Sequence, residues 1–155
     1  MKTYLHKIGA ILYALWGLLH IVGAAVLLLQ ANNTGATTVF ATIGSATPAT
    51  ALPQLSNNLV DAVLGYYAWN LLWLGCFVLV VAVCSNWRNS PTGFWLNLVV
   101  VSAVDLGLVV LLVAPGYMAL ADGMLGVALW LPAVLFSTIG QVAQRTPGLE
   151  QGAPA

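Results

Sequence analysis

"IGAILYALWGLLHIVGAAVLLLQ", residues 8–30, decides the fold: it holds no charged side chain and a single histidine, His20. The hydrocarbon core of a bilayer takes about 20 apolar residues in a helix, and this run is long enough to cross it. The short basic stretch before it, "MKTYLHK", has the charge of a secretory signal. The apolar run, however, is longer than the roughly 7–15 residues of a signal's core. A retained membrane helix is the expectation.

The rest of the chain repeats that character. Of its 155 residues, 61% are hydrophobic and 5% charged, against about 25% charged in a soluble domain. Formal net charge is zero, so nothing points to nucleic acid as a partner. Three further segments have spanning length: 62–84, interrupted by Asn70; 94–114, containing Asn97, Ser102 and Asp105; and 117–140, with Asp122 near its start. The expected fold class is all-α, an integral-membrane four-helix bundle with helices at about 8–30, 62–84, 94–114 and 117–140. These form a domain 1–144, followed by a flexible tail 145–155 that carries Glu150. No internal repeat supports a tandem-repeat transporter. Cys76 and Cys84 are roughly 12 Å apart on one helix, too far for a disulfide, and read as buried structural thiols.

Orientation follows from the bases. Lys2 and Lys7 precede the first segment, Arg88 separates the second from the third, and Arg145 follows the fourth. In a four-span protein those places share one side, which the positive-inside tendency assigns to the cytoplasm. A multi-pass protein of the cell inner membrane with both termini cytoplasmic is expected. The connections "SNWRNSPTG" (85–93) and "APGYM" (114–118) are short, so the last three segments stand antiparallel. In the first of them Ser90 is placed to cap the third helix, with Pro91 at its first position. The outer loop, 31–61, is long for a compact domain. Its patches "TVFATI" and "TALPQL" suit a lid, an interfacial strand or a short helix; a loosely ordered connector is the alternative.

At 1.5 Å per residue, His20 stands about 20 Å above Lys7, and Asp105 about 21 Å above Pro91. Asn70 falls about 14 Å and Asp122 about 9 Å below the outer boundary. Each span thus brings a polar group to the outer half of the membrane. Tyr13, Trp16 and His20 share one helical face; Tyr66, Asn70 and Trp73 share another. Such stripes line a small-molecule pocket with aromatic walls, or they fill a core or an interfacial belt. The candidate catalytic residues are His20, Asp105 and Asp122. The candidate substrate-binding residues are Tyr13, Trp16, Tyr66, Asn70 and Trp73.

A carboxylate at the depth of Asp105 is costly unless it faces the interior with a partner or water. His20 is the other titratable group at its level. The two would form an ionised couple, a neutral pair, or a proton-transfer dyad, or else an interhelical hydrogen bond that fixes packing. Catalytic and phosphate-binding motifs such as HExxH and GxSxG are missing. His6 lies about 21 Å below His20 along the helix, so the two cannot share a metal or haem iron. No metal or cofactor is expected. The glycines at 9, 17 and 23, and at 123 and 126, permit close helix contact.

The four-span layout, with the string "WGLLH" at Trp16–His20, resembles small bacterial four-helix membrane families such as DoxX-like proteins. Membrane sterol isomerases are similar in placing acid/base and aromatic side chains in a cavity among membrane helices. This chain lacks a version of their motif, and no residue is carried over from either group. Three functions fit the residues. The first is an intramembrane site that binds or converts an apolar small molecule (a lipid, isoprenoid or quinone), as in an acid/base isomerase or hydratase. The second is a proton-coupled transporter acting as a dimer. The third is a structural or accessory subunit of a membrane complex. The partners expected are membrane lipids, the apolar ligand and, as an option, a second copy in a homo-oligomer.

Overall fold

The computed structural model describes residues 4–52 and 58–145, and among them every regular element is helical. The order is α1 (Leu5–Asn33), α2 (Ala36–Ile43), α3 (Asn58–Cys84), α4 (Pro91–Leu108) and α5 (Leu120–Arg145). A π turn, Val109–Val113, extends α4, and short 3₁₀ turns occupy Ala49–Ala51 and Asn86–Arg88. Four of the five helices are long and apolar enough to cross a membrane, the architecture of a multi-pass membrane protein. The expected spans recur with their ends displaced by a few residues. The tail after Arg145 lies outside the described residues.

Why helices form needs little argument: in hydrocarbon every backbone N–H and C=O must be bonded within the segment. How they pack is set by small residues. α1 stands at the centre, against α3 on one side and α5 on the other. At the α1–α3 crossing Gly17 faces Gly75, so close that a Cβ on either would come within 2.7 Å of the other's carbonyl oxygen. At the α1–α5 crossing Gly9 meets Ser137, and a Cβ on Gly140 would meet that of His6 at 2.7 Å. Without side chains at these points the helix backbones approach to dispersion contact, the main source of adhesion when lipid is as apolar as leucine.

The connections place the ends. Lys7 lies over the Trp87 ring at 5.2 Å. Asn89 Nδ2 donates to the Gly140 carbonyl at 3.1 Å, and Gln141 Nε2 donates back to the Asn89 carbonyl at 2.9 Å. The start of α1, the α3–α4 turn and the end of α5 therefore share one end, the basic one. Asp61 and Asp122 sit in the first turns of α3 and α5, at the opposite, acidic end, where a helix N-terminus favours a carboxylate.

Two local expectations change. Ser90 holds the N-cap position with Pro91 first in the helix, but its side chain makes no capping bond. Cys76 and Cys84 are free and exposed rather than buried, because they fall on the outward side of α3. The long loop contains a real helix: α2 buries Ala36 and Val39 against Leu27 of α1 and Leu64 and Ala68 of α3. The loop then ties itself to the α4–α5 connection. Ala46 N–H donates to the Tyr117 carbonyl at 3.2 Å, and Ala119 N–H donates to Ser45 Oγ at 3.0 Å.

Candidate functional site

Three helices meet at one buried indole. Trp16 of α1 is fully buried, and its Nε1–H is shared by both carboxyl oxygens of Asp105 on α4, at 3.0 and 3.2 Å. One turn further along α1, the His20 ring stacks on the indole, with centroids 3.6 Å apart and planes 24° apart. His20 Nδ1 lies 2.9 Å from the Trp16 carbonyl oxygen. A carbonyl only accepts, so Nδ1 carries the proton of that bond, and in the neutral ring Nε2 keeps its lone pair. The third helix contributes an absence of bulk: a Cβ on Gly126 of α5 would stand 3.0 Å from Asp105 Oδ1 and 3.6 Å from Trp16 Nε1. Glycine there lets α5 close directly over the Trp16–Asp105 bond.

Beside this cluster is a cavity of about 290 Å³ whose walls include His20, Asp105 and Asp122. All three candidate catalytic residues thus face one space. Its apolar walls are Leu19 and Leu27 of α1, Leu71 of α3, Leu108 of α4 and Leu125 of α5. At the acidic end Thr42 and Ile43 of α2 and Met118 of the α4–α5 connection also line it. The bonds from Ala46 to Tyr117 and from Ala119 to Ser45 hold these two segments together, so the described part of the α1–α3 connection is tethered at the cavity.

The expected substrate-binding residues fare differently. Trp16 is off the cavity wall, behind Asp105, and acts as its hydrogen-bond donor. Tyr13 is buried in the core with Val78, Val101 and Ala133, away from the cavity. Tyr66 and Trp73 are exposed, at 68% and 45%. Between them Asn70 Nδ2 donates to the Tyr66 carbonyl at 2.9 Å, and Asn70 Oδ1 accepts from Trp73 Nε1 at 3.1 Å. This stripe satisfies its polar groups on the outward face of α3. The same helix turns Tyr67 and Leu71 to the cavity instead, a rotation of one residue, or about 100°. His20 and Asp105 form no direct hydrogen bond among the described residues; the indole stands between them. Reading the sequence passed over Tyr67, Thr42 and Met118. Gly126 had a signal, the Gly123/Gly126 pair, read there only as a packing feature.

A carboxylate has about four acceptor sites, and at Asp105 one neutral N–H serves both oxygens. Among the described residues no group of three metal-ligating side chains comes together. Asp105, His20 and Asp122 all line a space that is otherwise mostly apolar. No family model, curated protein or solved structure matches the chain.

Proposed function

We propose that this multi-pass protein holds an apolar small molecule, of the lipid, isoprenoid or quinone class, by its polar head in the cavity beside Asp105. The observation that carries the reading is the convergence of His20, Asp105 and Asp122 on one largely apolar cavity of about 290 Å³. That volume is near the lower end of ligand pockets, about 300–1,000 Å³, and suits a head with one end of its hydrocarbon. Asp105 accepts a hydrogen bond from the head, and His20 Nε2 is placed to take or return a proton. Acid/base conversion of the bound molecule, an isomerisation or hydration, is the chemistry this set supports. The basic end and both termini face the cytoplasm, as the placement of Lys7 and Arg88 favours, and the membrane is the cell inner membrane.

A structural reading has one observation in its favour. The Trp16–Asp105 bond bridges α1 and α4, as interhelical polar bonds do in subunits with no ligand. Native mass spectrometry with lipid extraction separates the two, comparing wild type with Asp105→Asn. Asparagine keeps an acceptor for the indole and removes the charge. A defined small molecule retained by wild type and lost from the variant is expected. Equal retention of bulk phospholipid alone by both proteins would leave the structural reading standing.

A further inference from the structure

Far from that cavity, the basic end carries a second concave surface. It is a groove of about 220 Å³ between α1 and α3, lined without exception by apolar side chains, among them Ala10, Ile11 and Leu15 of α1 and Val83 of α3. Trp87, in the turn before α4, lies at its basic end and is part of its wall. The Lys7 ammonium is held over that ring at 5.2 Å and over the Tyr4 ring at 5.4 Å, and Arg88 follows directly in the same turn.

No described carboxylate balances these two cations. Asp61 and Asp122 belong to the first turns at the acidic end, and Asp105 is about 21 Å up α4 from Pro91. An apolar slot ending at a tryptophan, with one base held over that ring and a second on the next residue of the same turn, has the two-part chemistry of a phospholipid. The slot takes an acyl chain; the bases take the phosphate. A zwitterionic headgroup brings its own cation back to Lys7 and Arg88, whereas an anionic one does not. We infer that the α1–α3 groove is a binding site for one anionic phospholipid, its chain against Ile11, Leu15 and Val83 and its headgroup between Lys7 and Arg88. This site is independent of the cavity at Asp105.

The test is native mass spectrometry of the full chain from micelles doped with equal amounts of phosphatidylglycerol and phosphatidylcholine of identical chains. Each basic residue near the surface is worth about fivefold in affinity, so wild type should retain one phosphatidylglycerol with a preference of roughly 25-fold. The preference should fall with added salt. Lys7→Gln/Arg88→Gln should bring the two lipids near parity. Val83→Phe, at an exposed groove position, should lower retention of both lipids with the thermal transition unchanged. Parity in wild type overturns the proposal, as does a preference that survives the double substitution. Undiminished lipid retention in Val83→Phe would remove the groove from it and so overturn it as well.

Discussion

Replacing Trp16 by Phe removes the one hydrogen-bond donor that Asp105 has among the described side chains, at 3.0 and 3.2 Å, while keeping an aromatic ring in the core. Two magnitudes bear on the cost. An interhelical hydrogen bond inside a membrane is worth about 0.6 kcal/mol on average and about 1.7 at most. A buried polar group left without its partner costs about 1–3 kcal/mol. The second governs here, because Asp105 is 1% exposed and the indole is its one side-chain donor among the described residues. Asp105→Leu strands the indole N–H in the same way. Removing both partners, Trp16→Phe with Asp105→Leu, leaves nothing stranded. A double-mutant cycle should therefore show a coupling of about 1–3 kcal/mol, with the double variant less damaged than the sum of the singles. Asp105→Asn, which still accepts from the indole, should cost less than Asp105→Leu. Reversible unfolding in mixed micelles reads these differences as changes of about 5- to 150-fold in the equilibrium constant. Strict additivity of the two single variants would show that the indole–carboxyl bond contributes nothing to holding α1 against α4.

At the α1–α3 crossing, Gly17→Val and Gly75→Val each force a side chain into a carbonyl 2.7 Å away. Each should destabilise by about 1–3 kcal/mol or more, seen as a lowered midpoint in the same unfolding assay. Leu71→Trp, which fills the cavity from its α3 wall, should abolish retention of the bound small molecule, whereas Tyr66→Phe and Trp73→Phe should leave it unchanged; loss in the latter pair would contradict the rotation assigned to α3. With Cys76 and Cys84 replaced by Ala, single cysteines at Thr50 and Thr92, both exposed, should react with a membrane-impermeant maleimide from opposite sides of the bilayer. Labelling of both from one side would break the four-span arrangement.

The spans were legible because composition alone demands them: runs such as 8–30 have nowhere to go but hydrocarbon. That three polar residues come to one level of the bundle was legible too. His20, Asp105 and Asp122 are polar groups at countable distances along helices whose directions follow from short connections, and they do share a cavity. Helix rotation was not legible. Apart from Asn70 the middle of α3 is apolar around its circumference, so its sequence contains little contrast to say whether Tyr66 or Tyr67 faces inward. Asn70 misleads for the same reason: a polar side chain in a membrane helix suggests an inward face, yet here it bonds its own turn and Trp73. The partner of Asp105 was also beyond a depth count. The indole of Trp16 reaches the carboxyl from the turn below His20, a fact of side-chain length and not of backbone height. The loop helix α2 was readable only as an apolar patch, since what stabilises it is the surface of α1 and α3 beneath Val39.

The π turn at Val109–Val113 has its own consequence. Such a turn takes up one residue more than a regular α-helical turn, and here it ends the helix, directly before the turn at 114–118. Deleting a single residue within 109–113 should therefore convert the turn to regular α-helix and leave both Asp105 before it and Met118 after it on the cavity wall. A deletion at Val99 would instead turn Asn97 and Asp105 apart by about 100°. The fourth helix thus has one place at which the chain can change length without changing what faces what.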